Sequence, residues 1–261
     1  MIYSYLCRCK ATSQAGCNLN TLIMNIALLI AGGSGNRMGQ DIPKQFMHVD
    51  GCPIIIHTMQ CFQRHPDIDG IAVVCLKGWE TVLRAYANQF NIDKLKWIFP
   101  GGNTGMESIH NGIYGLKAEG CSDDDLVLIH DSVRPLLSQD IISSNIAICK
   151  AYGYAITGIQ CREAILESED GFSSTESIPR DKLIRTQTPQ TFSLGNILAV
   201  HEKAKEKGIT DSVASCTLIA EVGGMEMHIV PGSEKNIKIT TVEDLEILKA
   251  LIHTNKDEWL K

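Results

Sequence analysis

A glycine-rich loop with two basic side chains is the part of this sequence whose residue types could do chemistry. An apolar run over residues 26–30 leads into it. The loop and its flank supply, in chain order, Ala31, Gly32, Gly33, Gly35, Arg37 and Lys44. Glycines let a backbone approach phosphate oxygens closely, and loop N–H groups can donate hydrogen bonds to them. Because the two cations could neutralise charge that shifts when a phosphoryl bond breaks, the stretch predicts a nucleoside triphosphate site.

The loop matches neither of the two common glycine fingerprints. A P-loop requires Gly-x-x-x-x-Gly-Lys-Ser/Thr, and no such string follows this apolar run. The dinucleotide fingerprint requires Gly-x-Gly-x-x-Gly, but Met38 stands at the third glycine position. For the loop taken alone, a plain strand-to-loop turn therefore stays an alternative to phosphate binding.

Further candidate residues follow later apolar runs. Gly101 permits close backbone approach, and Ser108 opens a predicted helix, where its hydroxyl could cap the helix or contact a base or ribose. Asp131 ends a predicted strand and is placed to bind Mg²⁺, although a structural ion pair with Arg134 is the alternative. Lys238 lies in a short strand-like stretch, from which it faces either solvent or the site.

Alternating strands and helices must position these residues. Predicted strands cover residues 26–30, 71–76, 96–99, 126–130 and 154–160. Predicted helices cover residues 54–64, 79–90, 108–117 and 141–152. This order predicts an α/β fold with a doubly wound, mostly parallel sheet. Such sheets bind ligands beyond the carboxyl ends of their strands, which is where the candidate residues fall.

The alternation breaks at about residues 161–185. Residues 162–171 indicate one strand of a β-hairpin with an Asp-Gly turn, and residues 172–185 its returning arm. A hairpin outside a parallel sheet needs a partner surface, and a second copy of the chain is a natural one. A solvent loop is the alternative. Beyond the arm, predicted helices cover residues 194–207, 212–222 and 242–253, and a predicted strand covers residues 227–229.

Length, charge and cysteine content limit the class of protein. The 261 residues, 44% of them hydrophobic, suffice for a single α/β domain over residues 24–261. A formal net charge of −6 argues against general binding of nucleic acid or anionic membranes, which needs a basic face. None of the ten cysteines forms a Cys-x-x-Cys pair, so we expect free thiols in the cytoplasm. We expect residues 1–23, which are polar and aperiodic, to be a disordered extension or a start-site artefact.

Taken in this order and spacing, the motifs resemble those of the small cytidylyltransferases that make CDP-linked polyols. That group contains 2-C-methyl-D-erythritol 4-phosphate cytidylyltransferase and ribitol-5-phosphate cytidylyltransferase. The resemblance covers residues 25 to about 252. Its landmarks are residues 31–38, 43–46, 101–102, 130–135, 188–190, 210–211 and 236–240. It implies a Rossmann-like fold that works as a homodimer.

The resemblance implies a reaction and a set of roles for the nucleotide half. The phosphate of a polyol phosphate attacks the α-phosphorus of CTP, giving a CDP-polyol and pyrophosphate, with catalysis mostly by positioning and electrostatics. The implied catalytic cations are Arg37, Lys44 and Lys238. The implied nucleotide-binding residues are Ala31, Gly32, Gly33, Gly35, Gly101, Ser108 and Ser132. Asp131 is implied to lie beside Mg²⁺ or another divalent cation.

The resemblance also implies a polyol phosphate half, and here the chain departs from the pattern. The implied residues are Arg134, Ala164, Arg180 and Thr188, and Arg180 would act in the neighbouring subunit's site. Methylerythritol enzymes carry an Asp-Thr pair on the arm, where this chain has Glu163-Ala164. Further departures are Gly105 in place of an arginine, Ser132 in place of an alanine, and Lys235 in place of an aspartate.

These departures argue against methylerythritol phosphate as substrate. Residues 130–135, 177–179 and 187–192 resemble the ribitol enzymes and favour ribitol 5-phosphate or a related linear polyol phosphate, although those enzymes also tend to keep the arm threonine that Ala164 replaces. Methylerythritol phosphate is the alternative. Use of UTP or GTP, and a nucleotide-binding module without activity, are open from the sequence alone.

Overall fold

The computed structural model describes residues 23–33 and 42–253. Its strands are β1 (Asn25–Ala31), β2 (His48–Val49), β3 (Cys52–Pro53), β4 (Gly70–Cys75), β5 (Leu95–Pro100), β6 (Leu126–Asp131), β7 (Tyr154–Gln160), β8 (Ile165–Glu167), β9 (Glu176–Ile178), β10 (Ile184–Ser193) and β11 (His228–Pro231). Its helices are α1 (Ile54–Gln63), α2 (Glu80–Gln89), α3 (Gly105–Ala118), α4 (Gln139–Tyr152), α5 (Leu194–Glu206), α6 (Ser215–Val222) and α7 (Val242–His253). The expectations for residues 1–22, for Gly35 and for Arg37 lie outside the described residues.

A mostly parallel sheet organises the described part of the chain. Seven strands pair in the order β11-β7-β10-β6-β1-β4-β5. The pairs β1–β4, β1–β6, β4–β5 and β11–β7 are parallel, whereas β10 runs antiparallel to both β6 and β7. The predicted doubly wound, mostly parallel sheet is therefore confirmed.

Strand β1, which lies inside the sheet between β6 and β4, shows why helices cover both faces. Its side chains alternate between two separate cores: Ala27 and Leu29 join one, Ile26 and Leu28 the other. All four side chains are fully buried. A parallel strand buried on both faces has an almost continuous apolar sequence, which is the pattern of this segment.

Two sequence expectations about strands were wrong. No strand was predicted at residues 184–193, because β10 is rich in threonine and glutamine and contains Pro189, which removes a hydrogen-bond donor. Conversely, the stretch 236–240 was expected to be strand-like and forms no strand. It follows a turn closed by the Asn236 N–H and the Ser233 carbonyl, and Ile239 N–H donates a single bond to Val133.

The predicted hairpin is present as a ribbon apart from the main sheet. Strands β8 and β9 pair antiparallel, with Ile165 opposite Ile178. Asp170 Oδ1 accepts the N–H groups of Phe172 and Ser173, which closes the expected Asp-Gly turn. The ribbon exposes Leu166 and Phe172, the latter at 98% of its surface.

Within the described part of the chain, no helix has the length and apolar character needed to cross a bilayer.

Candidate active site

An open cavity of about 700 Å³ lies at the carboxyl ends of the central strands. It is the edge at which doubly wound sheets bind ligands. Of the residues predicted to bind the nucleotide, five line it: Ala31, Gly32, Gly33, Ser108 and Ser132. Of the residues predicted to act on phosphates, metal or polyol, five more line it: Lys44, Asp131, Arg134, Thr188 and Lys238.

Three of the predicted residues that the structure describes do not line this cavity. Gly101 lies directly behind its wall, against Gly32. Ala164 and Arg180 belong to the arm region and are exposed. Arg180 Nη1 donates to the Arg162 carbonyl at 2.6 Å, so its guanidinium is directed to the arm.

Close packing of two glycines forms one wall of the cavity. A Cβ added at Gly32 would lie 2.8 Å from Ser108 Oγ and 3.1 Å from Gly101 Cα. A Cβ added at Gly101 would lie 2.9 Å from Gly32 Cα and 3.1 Å from the Cys75 carbonyl. The loops after β1 and β5 therefore touch backbone to backbone, which is possible only without side chains.

Ser108 fastens this wall instead of capping the helix. Thr104 is the N-cap of α3 and accepts the Glu107 N–H at 3.1 Å, so the capping alternative for Ser108 is wrong. Ser108 is 3% exposed, and its hydroxyl accepts the Gly102 N–H at 3.0 Å.

Gln45 is a functional candidate that the sequence analysis did not single out. Its Nε2 donates to the carbonyls of Ala31 and Gly33, at 2.8 Å and 2.9 Å. The side chain is 2% exposed and thereby holds the start of the glycine loop in place. The motif that contains it, Pro43-Lys44-Gln45, was noted for its lysine alone.

Asp131 joins the cations of the cavity. Its Oδ2 accepts from Arg134 Nε at 2.8 Å, and its Oδ1 accepts from Lys238 Nζ at 3.0 Å. Burial alone would raise the pKa of this carboxyl, but the charges of Lys238 and Arg134 outweigh burial and hold the pKa below the ordinary value for aspartate. The group is therefore an anion, and the ion pair with Arg134, which the sequence offered as the alternative to a metal-binding role, is present.

A buried histidine holds the backbone around Asp131. His130 Nε2 lies 3.2 Å from the Arg134 carbonyl, which can only accept, so Nε2 carries the proton. Thr188 Oγ1 accepts the Asp131 N–H at 3.0 Å and donates to His130 Nδ1 at 3.0 Å. Burial lowers the pKa of His130 to about 4, so the ring is neutral, as these two bonds require.

The donor set around Asp131 fits a magnesium ion carried by a triphosphate, not one held by the protein alone. Among residues 23–33 and 42–253, no cluster of three or more His, Cys, Asp or Glu side chains could hold a metal ion. Mg²⁺ is commonly bound by one or two carboxylates together with substrate phosphates. Asp131 supplies one carboxylate, whose two oxygens accept from Arg134 and Lys238.

A doubly wound sheet whose glycine-walled cavity is lined by Lys44, Arg134 and Lys238 is the architecture of a nucleotidyltransferase. The chain matches the family described as "IspD: 2-C-methyl-D-erythritol 4-phosphate cytidylyltransferase" over residues 25–254. The chain therefore belongs to this cytidylyltransferase family.

Individual relatives carry both names that the sequence motifs suggested. A ribitol-5-phosphate cytidylyltransferase of Lacticaseibacillus paracasei is 38% identical over 88% of this chain and 98% of that protein. A 2-C-methyl-D-erythritol 4-phosphate cytidylyltransferase of Clostridium botulinum is 37% identical over 85% of this chain and 94% of that protein. The crystal structure of a 4-diphosphocytidyl-2C-methyl-D-erythritol synthase from Anaerococcus prevotii matches with a TM-score of 0.75 at 25% identity, covering 89% of this chain and 99% of that one.

Proposed function

We propose that this protein transfers the cytidylyl group of CTP to ribitol 5-phosphate, giving CDP-ribitol and pyrophosphate. The observation that carries the chemistry is the convergence of Lys44, Arg134 and Lys238 on one glycine-walled cavity. The choice of ribitol is supported by relatives of that name that are 38–39% identical over most of this chain.

Methylerythritol 4-phosphate is the second candidate substrate. The family match and the relatives from Clostridium, which are 36–37% identical, favour it. The Glu163-Ala164 pair argues against it, because methylerythritol enzymes carry an Asp-Thr pair on the arm. Ribitol enzymes also tend to keep the threonine that Ala164 replaces, so Ala164 by itself does not separate the two substrates. The two substrates differ in carbon branching, so a direct comparison of rates separates them.

In the proposed reaction, a phosphate oxygen of the polyol attacks the α-phosphorus of CTP. A new P–O bond forms while the bond from the α-phosphorus to the bridging β-phosphate oxygen breaks, and pyrophosphate leaves with that electron pair. Negative charge grows on the oxygens around the α-phosphorus, where Arg37, Lys44 and Lys238 would stabilise it. The side of the cavity near Gly32, Gly101 and Ser108 would hold cytosine and ribose.

The polyol phosphate would lie on the opposite side, near Arg134 and Thr188. Arg134 is held by Asp131 and by the Asn236 carbonyl, at 2.8 Å and 2.7 Å, so its remaining N–H groups have a defined direction. A magnesium ion bound to the triphosphate beside Asp131 would supply charge neutralisation and help to orient the phosphates.

We further propose a homodimer in which the arm of one subunit completes the other's site. Arg180 and Ala164 do not line the cavity of their own subunit, whereas the ribbon beside them exposes Leu166 and Phe172. The described cysteines are free thiols, which supports a reducing compartment and hence the cytoplasm.

Pyrophosphate release tests this function. The assay pairs each of the four ribonucleoside triphosphates with ribitol 5-phosphate or 2-C-methyl-D-erythritol 4-phosphate. We expect the highest kcat/KM with CTP and ribitol 5-phosphate. A higher kcat/KM with methylerythritol phosphate would select the second candidate substrate. CTP binding without turnover of either polyol phosphate would contradict the proposed enzymatic activity.

A further inference from the structure

One segment of β10 leaves the register of the sheet beside the cavity. The pairing of β10 with β7 shifts between Thr186 and Gln190. Irregularities of this kind re-aim side chains and are frequent next to active sites. Within the shifted segment, Gln187 and Thr188 both line the cavity. Thr188 bonds to the Asp131 turn, as described above, and Gln187 bonds to a different part of the chain.

The Gln187 side chain grips the loop that carries Lys238. Its Nε2 donates to the Ser233 carbonyl at 2.9 Å, and its Oε1 accepts the Ser233 N–H at 3.2 Å. The amide thus pairs with both backbone groups of one residue, as a neighbouring strand would. Longer contacts of 3.4 Å join the same amide to the Asn236 carbonyl and to Asn236 Nδ2. Gln187 is 7% exposed, so water competes little for these bonds.

Further hydrogen bonds hold this loop on either side of Lys238. Before it, Asn236 Nδ2 donates to the Thr188 carbonyl at 2.8 Å, and the Asn236 carbonyl accepts from Arg134 Nη1 at 2.7 Å. After it, Ile239 N–H donates at 2.9 Å to the turn that follows β6. The ammonium of Lys238 is 3.0 Å from Asp131, although 43% of its side chain is exposed. Its direction therefore depends on the backbone of the loop more than on packing.

Gly232 leaves the space that the Gln187 amide needs to form these hydrogen bonds. A Cβ added there would collide with Gln187 Oε1, and it would lie 3.1 Å from Thr157 Cγ2. The φ angle of Gly232 is outside the left-handed region, so backbone conformation does not require glycine at this position. Glycine is required there because the Gln187 amide occupies the space that a side chain would need.

We propose that Gln187 is a positioning residue, which holds the loop 232–239 so that Lys238 faces the reacting phosphate. Gln187 acts on Lys238 through the backbone of the loop. In this role it contacts neither the Lys238 side chain nor the substrate. The inference rests on the proposed function only for what Lys238 does once it is in place. A displacement of about 1 Å in a group that acts on the transition state can cost about 100-fold in rate.

The first test needs no activity. Hydrogen–deuterium exchange is followed in the ligand-free protein for peptides that cover residues 232–240. In Gln187→Leu we expect faster exchange in these peptides than in the wild type. Thr191→Val is the matched control, because Thr191 is a buried residue of the same strand whose hydroxyl bonds to Asn145 instead. Unchanged exchange in Gln187→Leu, or equal acceleration in the control, would overturn the proposal.

The second test asks whether Gln187 acts through Lys238. In the wild-type background we expect Gln187→Leu to lower kcat by about 10- to 100-fold. In a Lys238→Ala background we expect the same change to lower kcat by no more than about twofold, since the group that it positions is gone. Full additivity in this cycle would overturn the proposed role. An inactive wild type would instead contradict the proposed function, and the exchange experiment would still decide the positioning of the loop.

Gly232→Ala is the second variant, should Gln187→Leu not fold. Its methyl group would displace the Gln187 amide, while residue 187 itself remains a glutamine. We expect the same acceleration of exchange at residues 233–240 and the same dependence of kcat on Lys238. Wild-type exchange and wild-type kcat in folded Gly232→Ala would contradict the inference.

Discussion

At the scale of single residues, three charged side chains of the cavity form one connected group: Asp131, Arg134 and Lys238. Asp131 bonds Arg134 through one oxygen and Lys238 through the other. Arg134 is fixed further by the Asn236 carbonyl, whereas Lys238 has the more exposed side chain. A triphosphate brings competing oxygens, so we expect Lys238 to be the cation that exchanges its partner.

Lys44 allows the sharpest test of the cationic cavity at this scale. We expect Lys44→Ala to lower kcat by about 10²- to 10³-fold, the usual cost of a donor to developing negative charge. Lys77→Ala is the control, because Lys77 is exposed in the loop after β4 and does not line the cavity. Steady-state kinetics with CTP and ribitol 5-phosphate measure both. Activity within twofold of wild type in Lys44→Ala would contradict the role of this lysine.

At the scale of elements, the site is built where loops from separate strands touch. The glycine loop after β1 packs on the loop after β5, and Gln45 and Ser108 hold the two in place. The backbone contact between the two loops depends on the absence of side chains at Gly32 and Gly101. Steric changes at these loops should therefore act on nucleotide binding before they act on the sheet.

Gly32→Ala tests this contact between loops. The added methyl group would press on Ser108 Oγ and on Gly101 Cα, and neither loop can move without shifting the cavity wall. We expect a rise of about tenfold or more in the KM for CTP, with a smaller change in the KM for the polyol phosphate. Gly33→Ala is the comparison, since a Cβ there meets nothing within 4 Å. Equal effects of the two substitutions would show that the packing of Gly32 is not what matters.

The apolar runs predicted most elements, because a buried parallel strand and an amphipathic helix have distinct periodicities. Helix α7 and strand β7 match their predicted bounds, and the other parallel strands of the sheet are displaced by no more than two residues. Strand β10 was missed because its stability comes from pairing and from polar contacts that a hydrophobic pattern does not contain. Gln45 and Gln187 were missed for the same reason: each acts by bonding to backbone groups far along the chain.

At the scale of the whole molecule, the arm and the buried histidines have consequences beyond the cavity. The arm ribbon lies apart from the main sheet and exposes two large apolar side chains. Helices α1, α2 and α4 pack on one face of the sheet and α5 on the other. His201 on α5 is 4% exposed, and its Nε2 has no hydrogen-bond partner among the described residues.

A mixing experiment tests whether the arm completes a neighbouring site. We expect Arg180→Ala to raise mainly the KM for the polyol phosphate. If subunits exchange freely, mixing Arg180→Ala with Lys44→Ala restores one complete site in each mixed dimer, or about one quarter of wild-type activity. The control mixes each variant with itself. No recovery, in a preparation shown to contain mixed dimers, would mean that each site is built from one chain.

His201 gives a pH dependence of stability. Burial lowers its pKa to about 4, with a further contribution from His110, against an ordinary value of 6.5. Between these two values the folded state does not bind the proton that the unfolded state binds. The contribution of neutral His201 to folding stability is therefore fully present above about pH 6.5 and is lost as pH falls towards 4. We expect His201→Leu to reduce the drop in unfolding free energy between pH 7 and pH 5 by about 2 kcal/mol.

Urea unfolding at the two pH values measures this difference. His130 has a similarly lowered pKa and is unchanged in the variant, so part of the pH dependence should persist. An equal drop in the wild type and in His201→Leu would contradict the assignment.

The place of β10 in the sheet has a consequence for the order in which the protein forms. Strands β7 and β11 join the other strands of the sheet only through β10, which lies between β7 and β6. Strands β1, β4, β5 and β6 all precede residue 132 and can pair as soon as that length of chain is available. The contacts of β10 are long-range and must wait for the later residues, and such pairings are slow. The cavity wall formed by Gly32 and Gly101 can thus exist during synthesis before Gln187 and Thr188 are added, and the cavity closes last on the side that these two residues line.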